Sequence, residues 1–292
     1  MNPKRMVREL MARSLLWSGA CAMVRRTFWR DKVAILLYHD PSPESLDRHL
    51  SYLATICEII PLAEIDRPSN GRPRAVITID DGNAGNAKLL PVFRKHNVRP
   101  TIFVCSGVVA NQRQFWWQHE GAAREGVARL RRLSNAERLS RLRAHGFSPL
   151  AEGHASALTA EDIAAMKPWV DFQSHTRFHP VLPCCDDAEC EVEISAARQE
   201  VERLVGADCL HFAYPNGRYG KREIAYLRAA GYRTARTCDV GWNDQRTDRF
   251  SLKAIPVDDE ASIPWFAAKL SGIPLFLRYM ASGSFNGKMP QM

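Results

Sequence analysis

The chain has 292 residues, of which 46% are hydrophobic, 25% charged and 9% aromatic, and a formal net charge of +8. This composition excludes general disorder, a collagen-like repeat and a small disulfide-stapled scaffold, while the length suits a single α/β barrel of about 250 residues. A charge of +8 admits nucleic acid, an anionic membrane or an acidic substrate as partner, so its placement decides among them. Positions 1–32 hold eight Lys/Arg against Glu9 and Asp31, and 121–150 hold seven Arg against Glu125 and Glu137. The two segments carry +6 and +5, which leaves the remainder at −3. The eight cysteines include no CxxC pair and read as reduced thiols, the usage expected of a cytosolic or cytosol-facing protein.

Residues 1–32 read as a basic amphipathic segment. Their apolar run, 15–24, contains Ser18 and Gly19 and is flanked by Arg13 and Arg25-Arg26. It is shorter than the roughly 20 apolar residues that span a bilayer. It also lacks a clear small-residue cleavage site and has basic residues on both sides, so a short helix lying on a membrane or on the domain is expected instead. From 33 the chain alternates. VAILLY at 33–38 is a strand, and 43–55 has helical spacing through Leu46, Leu50 and Leu53. A strand at 75–79, a helix at 84–96 and a strand at 101–104 follow. Residues 105–168 form a mostly helical insertion, with starts marked by Ser134-x-x-Glu137 and Thr159-x-x-Asp162. Strands resume at 169–173, 210–213, 233–237 and 252–257, with helices at 187–205 and 221–230 between them. The segment 259–292 is read as C-terminal helices and a tail. Alternating β and α over 33–258 points to a parallel sheet, open or closed into a barrel.

The chemistry-bearing residues follow strands, where α/β barrels place their sites. Ile77-Thr78-Ile79-Asp80-Asp81-Gly82 sets two carboxylates after an apolar run. Such neighbours can divide labour, one binding a metal and the other serving as general base. Alone the motif would be a turn and helix cap. Ser174-His175-Thr176-Arg177-Phe178-His179 places two imidazoles four residues apart, able to converge on one ion. A facial set of Asp81, His175 and His179 suits Zn²⁺, with Fe²⁺, Ni²⁺ and Co²⁺ also open. Phe212-Ala213-Tyr214-Pro215-Asn216-Gly217 is a turn that can present the Asn216 N–H to a developing oxyanion. His39 ends the first strand. Phe115-Trp116-Trp117 and Trp242 offer aromatic faces for a sugar, as does Tyr214, although packing serves them equally. Cys184, Cys185 and Cys190 match no familiar zinc knuckle.

TIDDG, HTRFH and FAYPNG, in this order over roughly 33–258, resemble the motifs of the polysaccharide deacetylases with a NodB homology domain, carbohydrate esterase family 4. The resemblance implies a distorted (β/α) barrel with a helical insertion, and a divalent metal on Asp81, His175 and His179. It also implies Asp80 as base and hydrolysis of the amide of N-acetyl sugars. Two positions depart from the pattern. Ala213 stands where the third motif carries an Arg beside the catalytic Asp, and no histidine follows His211 to supply the usual late general acid. Tyr38-His39 resembles the permuted branch of the family, in which an early Tyr-His supplies that acid, so His39 takes the role.

The leading reading is therefore a metal-dependent deacetylase of a polysaccharide or lipid-linked glycan. A deformylase or amidase of the same superfamily and a non-catalytic basic membrane protein are the alternatives. The segments bearing the motifs are slightly acidic, so the positive charge belongs to the N-terminus and the insertion. An anionic membrane on the cytoplasmic face is the expected partner surface, and nucleic acid is not.

Overall fold

A computed structural model describes residues 3–282. The strands are β1 (Val33–Tyr38), β3 (Arg74–Asp81), β4 (Thr101–Val104), β5 (Asp171–Ser174), β6 (His211–Ala213), β7 (Thr234–Val240) and β8 (Leu252–Pro256), with the two-residue β2 (Glu58–Ile59) beside the start of β3. Strands β1, β3 and β4 grow from apolar runs, while β5 and β7 are mixed. All of these strands pair in parallel, and β1 closes the circle by pairing with both β3 and β8. The result is a seven-stranded β/α barrel of the NodB type, with β2 added at its rim.

Strand alternation divides the apolar side chains into two layers. Val33, Ile35, Val76, Phe103, Ala213 and Leu252 form one buried cluster that fills the barrel. Ala34, Leu36, Ile77, Ile79, Phe212 and Tyr214 belong to the larger cluster between barrel and helices. The helices are α1 (Pro3–Trp17), α2 (Ala20–Val24), α3 (Pro43–Ile56), α4 (Leu90–His96), α5 (Glu120–Glu125), α6 (Val127–Leu130), α7 (Asn135–Ala144), α8 (Ala160–Met166), α9 (Asp187–Val205), α10 (Lys221–Ala229), α11 (Ile263–Ser271) and α12 (Ile273–Ser282). Ser42 starts α3 by accepting the Ser45 N–H, and Thr159 with Asp162 closes a full capping box on α8. Ser134 accepts the Glu137 N–H at the start of α7.

The helix expected at 84–96 is two pieces. A 3₁₀ stretch, Ala84–Leu89, precedes α4, and Pro91 sits at the junction in the first turn of the α-helix, the position where its missing N–H costs nothing. Strand β7 runs to Val240, three residues beyond the expected end at 237. The insertion packs its own small core of Trp116, Ala122, Leu130, Leu142 and Phe147. At the N-terminus, Ala12, Cys21 and Trp29 are buried, and the Trp29 indole N–H donates to the Arg74 carbonyl at 3.1 Å.

Candidate metal centre and active site

Asp80 and Asp81 end β3, His175 follows β5, and Asn216 follows β6, so the strand ends deliver the four to one mouth of the barrel. Parallel register makes Tyr38 and Ile79 partners, so His39 and Asp80 leave adjacent strands side by side. Ligand atoms of Asp81, His175 and His179 all lie within 4.8 Å of one another. The Nε2 atoms of His175 and His179 are each 3.6 Å from Asp81 Oδ1. Ligands about 2.1 Å from a tetrahedral ion stand about 3.4 Å apart, so this spacing leaves room for one between them. Asp81 Oδ1 is buried with no hydrogen-bond partner, an expensive state that a cation would relieve. Zinc takes this donor set of two imidazoles and one carboxylate, and the residues present fit it.

The surroundings fix these side chains. His175 Nδ1 lies 2.7 Å from the Ala213 carbonyl, which can only accept, so Nδ1 carries the proton and Nε2 is left free for a metal. The His179 N–H donates to Thr176 Oγ1 at 2.9 Å, and the Glu193 carboxylate accepts the N–H groups of Arg177 and Phe178. On the other side, the Trp116 indole N–H donates to the His179 carbonyl at 3.1 Å. A Cβ on Gly107 would meet the Phe178 ring at 2.6 Å, so only glycine lets this loop pack so closely. Among the described residues seven non-glycine positions have positive φ, and four of them are Asp81, Thr176, His179 and Asn216. Backbone strain of this kind gathers where a site over-determines it.

Burial pushes the Asp81 carboxyl up, partly opposed by His39 and His175. Burial, with help from His175, Arg138 and Arg131, holds His179 well below the usual imidazole range. A neutral His179 is the form that ligates a metal. Asp80 differs. Burial alone would raise it, but the guanidinium of Arg236 and the imidazoles of His175 and His39 outweigh that and hold it below the ordinary carboxylate range. Arg236 Nη2 reaches both Asp80 oxygens at 2.5 Å and stacks over Phe103 inside the barrel.

Arg236 fills the gap noted at Ala213. In the β6–β7 pair Ala213 and Arg236 are direct partners, so the guanidinium comes from the neighbouring strand at the same level. The usable sequence signal was an Arg inside a strand, since a buried Arg demands a carboxylate.

Asn216 has φ 55°, and the bonds of its turn run from Gly217 N–H to the Tyr214 carbonyl and from Arg218 N–H to the Pro215 carbonyl, leaving out the Asn216 N–H. A Cβ on Gly217 would sit 2.6 Å from that of Cys238, so the turn lies directly on β7. The exposed His39 is held by its backbone: its N–H donates to Asp259 at 3.1 Å, and its carbonyl accepts from Asn86 at 3.0 Å.

The aromatic residues divide. Trp117 lies beside the site, its ring 4.5 Å from that of His179. Trp116 is buried and braces the His179 loop instead of lining a groove. Tyr214 faces outward with Phe212, stacks on Tyr219 and donates its hydroxyl to the Phe250 carbonyl at 3.0 Å, which rules out substrate contact. Trp242 stands by Lys32 and Gly272, next to the residue paired with Val33, at the far end of β1 from His39. Among the described residues the Cys184, Cys185 and Cys190 segment forms no metal cluster; the Cys190 thiol turns to Glu223.

The family model for polysaccharide deacetylases matches residues 67–235, which takes in Asp80, Asp81, His175, His179 and Asn216 and stops one residue short of Arg236. Among solved structures, the chain is similar to the Streptococcus pyogenes deacetylase PplD in complex with acetate, at 17% identity and TM-score 0.61 over 82% of this chain and 98% of that one. It is similar to IcaB from Ammonifex degensii at 18% identity and TM-score 0.61, covering 82% of this chain and 97% of that one. A de-N-acetylase from Aggregatibacter actinomycetemcomitans gives 13% identity and TM-score 0.57, over 82% and 100%. At these identities the likeness establishes the fold. A search of curated proteins finds no match. With the family model spanning more than half its length, the chain belongs to the polysaccharide deacetylases of carbohydrate esterase family 4, hydrolases acting on carbon–nitrogen bonds.

Proposed function

We propose that the chain removes N-acetyl groups from the amino sugars of a polysaccharide or lipid-linked glycan, with Zn²⁺ on Asp81, His175 and His179. The observation that carries this reading is the pairing of a buried, unpartnered Asp81 oxygen between two Nε2 atoms with an Asp80 held ionised next to it. When bound, the ion supplies Lewis acidity to the amide carbonyl and lowers the pKa of water.

The protein's groups do the rest. Asp80 accepts the proton of the attacking water, which requires an ionised carboxylate within hydrogen-bond reach. The Asn216 N–H meets the oxyanion that forms on the acetyl carbon; removing one such donor typically costs about 3 kcal/mol in the barrier. His39, protonated, gives a proton to the departing amine, which would otherwise leave as an anion. Trp117, beside His179, packs against the sugar at the mouth. The test is acetate release from N-acetylhexosamine oligomers and lipid-linked glycans, run beside N-formyl sugars and cyclic imides. Acetate from the glycans supports the reading; turnover of formyl or imide substrates alone would replace it with a deformylase or amidase.

A further inference from the structure

Among the described residues, twelve large hydrophobic side chains are exposed, and ten belong to the two ends of the chain. Met6, Val7, Leu10, Trp17, Met23 and Phe28 come from the N-terminal segment, and Leu275, Phe276, Leu277 and Met280 from α12. The ends are not separate: α1, α2 and α12 all pack against α11. At about 100° per residue, Met6, Leu10 and Trp17 fall within about 40° of one another on α1, roughly opposite the buried Ala12. Trp17 is 80% exposed. Arg13 lies in the same stripe, and among the described residues Arg5, Arg13, Arg26 and Arg30 are exposed and hold no ion pair.

We propose that this face is a docking surface for an anionic lipid bilayer, on which α1, α2 and α12 lie in the interface. Charge complementarity chooses the occupant. A second copy would bring one +6 segment against another, and a phosphate backbone offers nothing to the aliphatic stripe beside the arginines. A bilayer surface takes both at once, apolar tips below the headgroups and guanidinium groups among them, and places tryptophan at the boundary. Among the described residues no helix is long and apolar enough to cross a membrane.

The surface connects to the site through one loop. Arg8 of α1 pairs with Asp258 at 3.4 Å, and Ser262 Oγ donates to Glu9 at 2.5 Å. The same loop gives Asp259, which accepts the N–H groups of His39 and Asp40, and Glu260, which accepts that of Ser42. Docking therefore fixes the orientation of the His39 side of the barrel mouth relative to the lipid. The surface stands on its own residues, whether or not the deacetylase reading holds.

The experiment is cosedimentation of the full chain with phosphatidylcholine vesicles and with vesicles containing 30% phosphatidylglycerol, at about 0.1 M and 0.5 M salt. Wild type is expected to bind the anionic vesicles and to weaken in high salt. Arg13→Glu/Arg26→Glu and Trp17→Ser/Phe28→Ser should each lower the affinity at least about tenfold. Thermal melts check folding, and acetate release from a soluble oligomer should stay at the wild-type level in both variants. Equal binding to both vesicle types, unchanged binding by the variants, preference for duplex DNA or RNA over vesicles, or a dimer that excludes vesicles would each overturn the proposal.

Discussion

Arg236 Nη2 bridges both carboxylate oxygens of Asp80 at 2.5 Å, across 156 residues of sequence and inside the barrel. Both side chains are nearly inaccessible, so the pair is held by geometry and low dielectric instead of solvent. Without the guanidinium, burial would govern Asp80 and its pKa would rise. Because a base works only above its own pKa, the acid limb of kcat/KM in Arg236→Met, which removes the charge, should move to higher pH. Removing one partner of a buried pair costs about 3–5 kcal/mol, so the melting temperature should also fall. A pH–rate profile with an unmoved acid limb would reduce Arg236 to a structural residue.

Glu193 offers a separate pH test. Burial, opposed by the N–H groups of Phe178 and Arg177, pushes its carboxyl up to about 7. The unfolded carboxyl titrates near 4.3. A raised acid contributes stability that is present below the unfolded pKa and lost as pH rises through the folded one. Wild type should therefore lose stability relative to Glu193→Gln between about pH 4.5 and 7, by about 3 kcal/mol over the window. Denaturant melts of the two proteins at several pH values check it; parallel curves would show that Glu193 is ionised in the fold.

Zinc should stabilise the folded chain through the three buried ligands. At a hundredfold excess over Kd the gain is about 2.7 kcal/mol, visible as a rise in melting temperature. His179→Ala and Asp81→Asn should lose that rise and the bound metal together. A variant that keeps stoichiometric zinc would displace its residue from the ligand set.

The motifs that end strands were legible because a barrel strand is an apolar run, and polar residues following it stand out. Asp80-Asp81 was visible for that reason, whereas the His175–His179 pair follows the polar strand β5 and was legible from its own four-residue spacing. Arg236 was not, because its role depends on the register that sets it opposite Ala213, and single-sequence spacing does not specify which strands neighbour each other. For Tyr214, which could face a sugar or pack, alternation alone favours packing: Ala213 points inward, so its neighbours Phe212 and Tyr214 point out. Trp116 had no such signal. An indole beside a metal loop can face a sugar or donate to a carbonyl, and only the bond to His179 decides.

His39→Ala separates acid catalysis from attack. A sugar amine is a poor leaving group, and losing a general acid typically costs about 10²–10⁴-fold. An N-acetylated aryl amine, which leaves more easily, should lose much less. Equal losses on both substrates would return the proton to another group.

The most direct test compares wild type with Asp80→Asn, measuring bound zinc and acetate released from N-acetylhexosamine oligomers. Asp80 lies beside the ligand set rather than in it, so the variant should hold zinc at the wild-type level while acetate release falls below about one part in 10². Wild-type protein that holds zinc yet releases no acetate from any N-acetylated glycan, or an Asp80→Asn variant that turns over at the wild-type rate, would contradict deacetylation by this site.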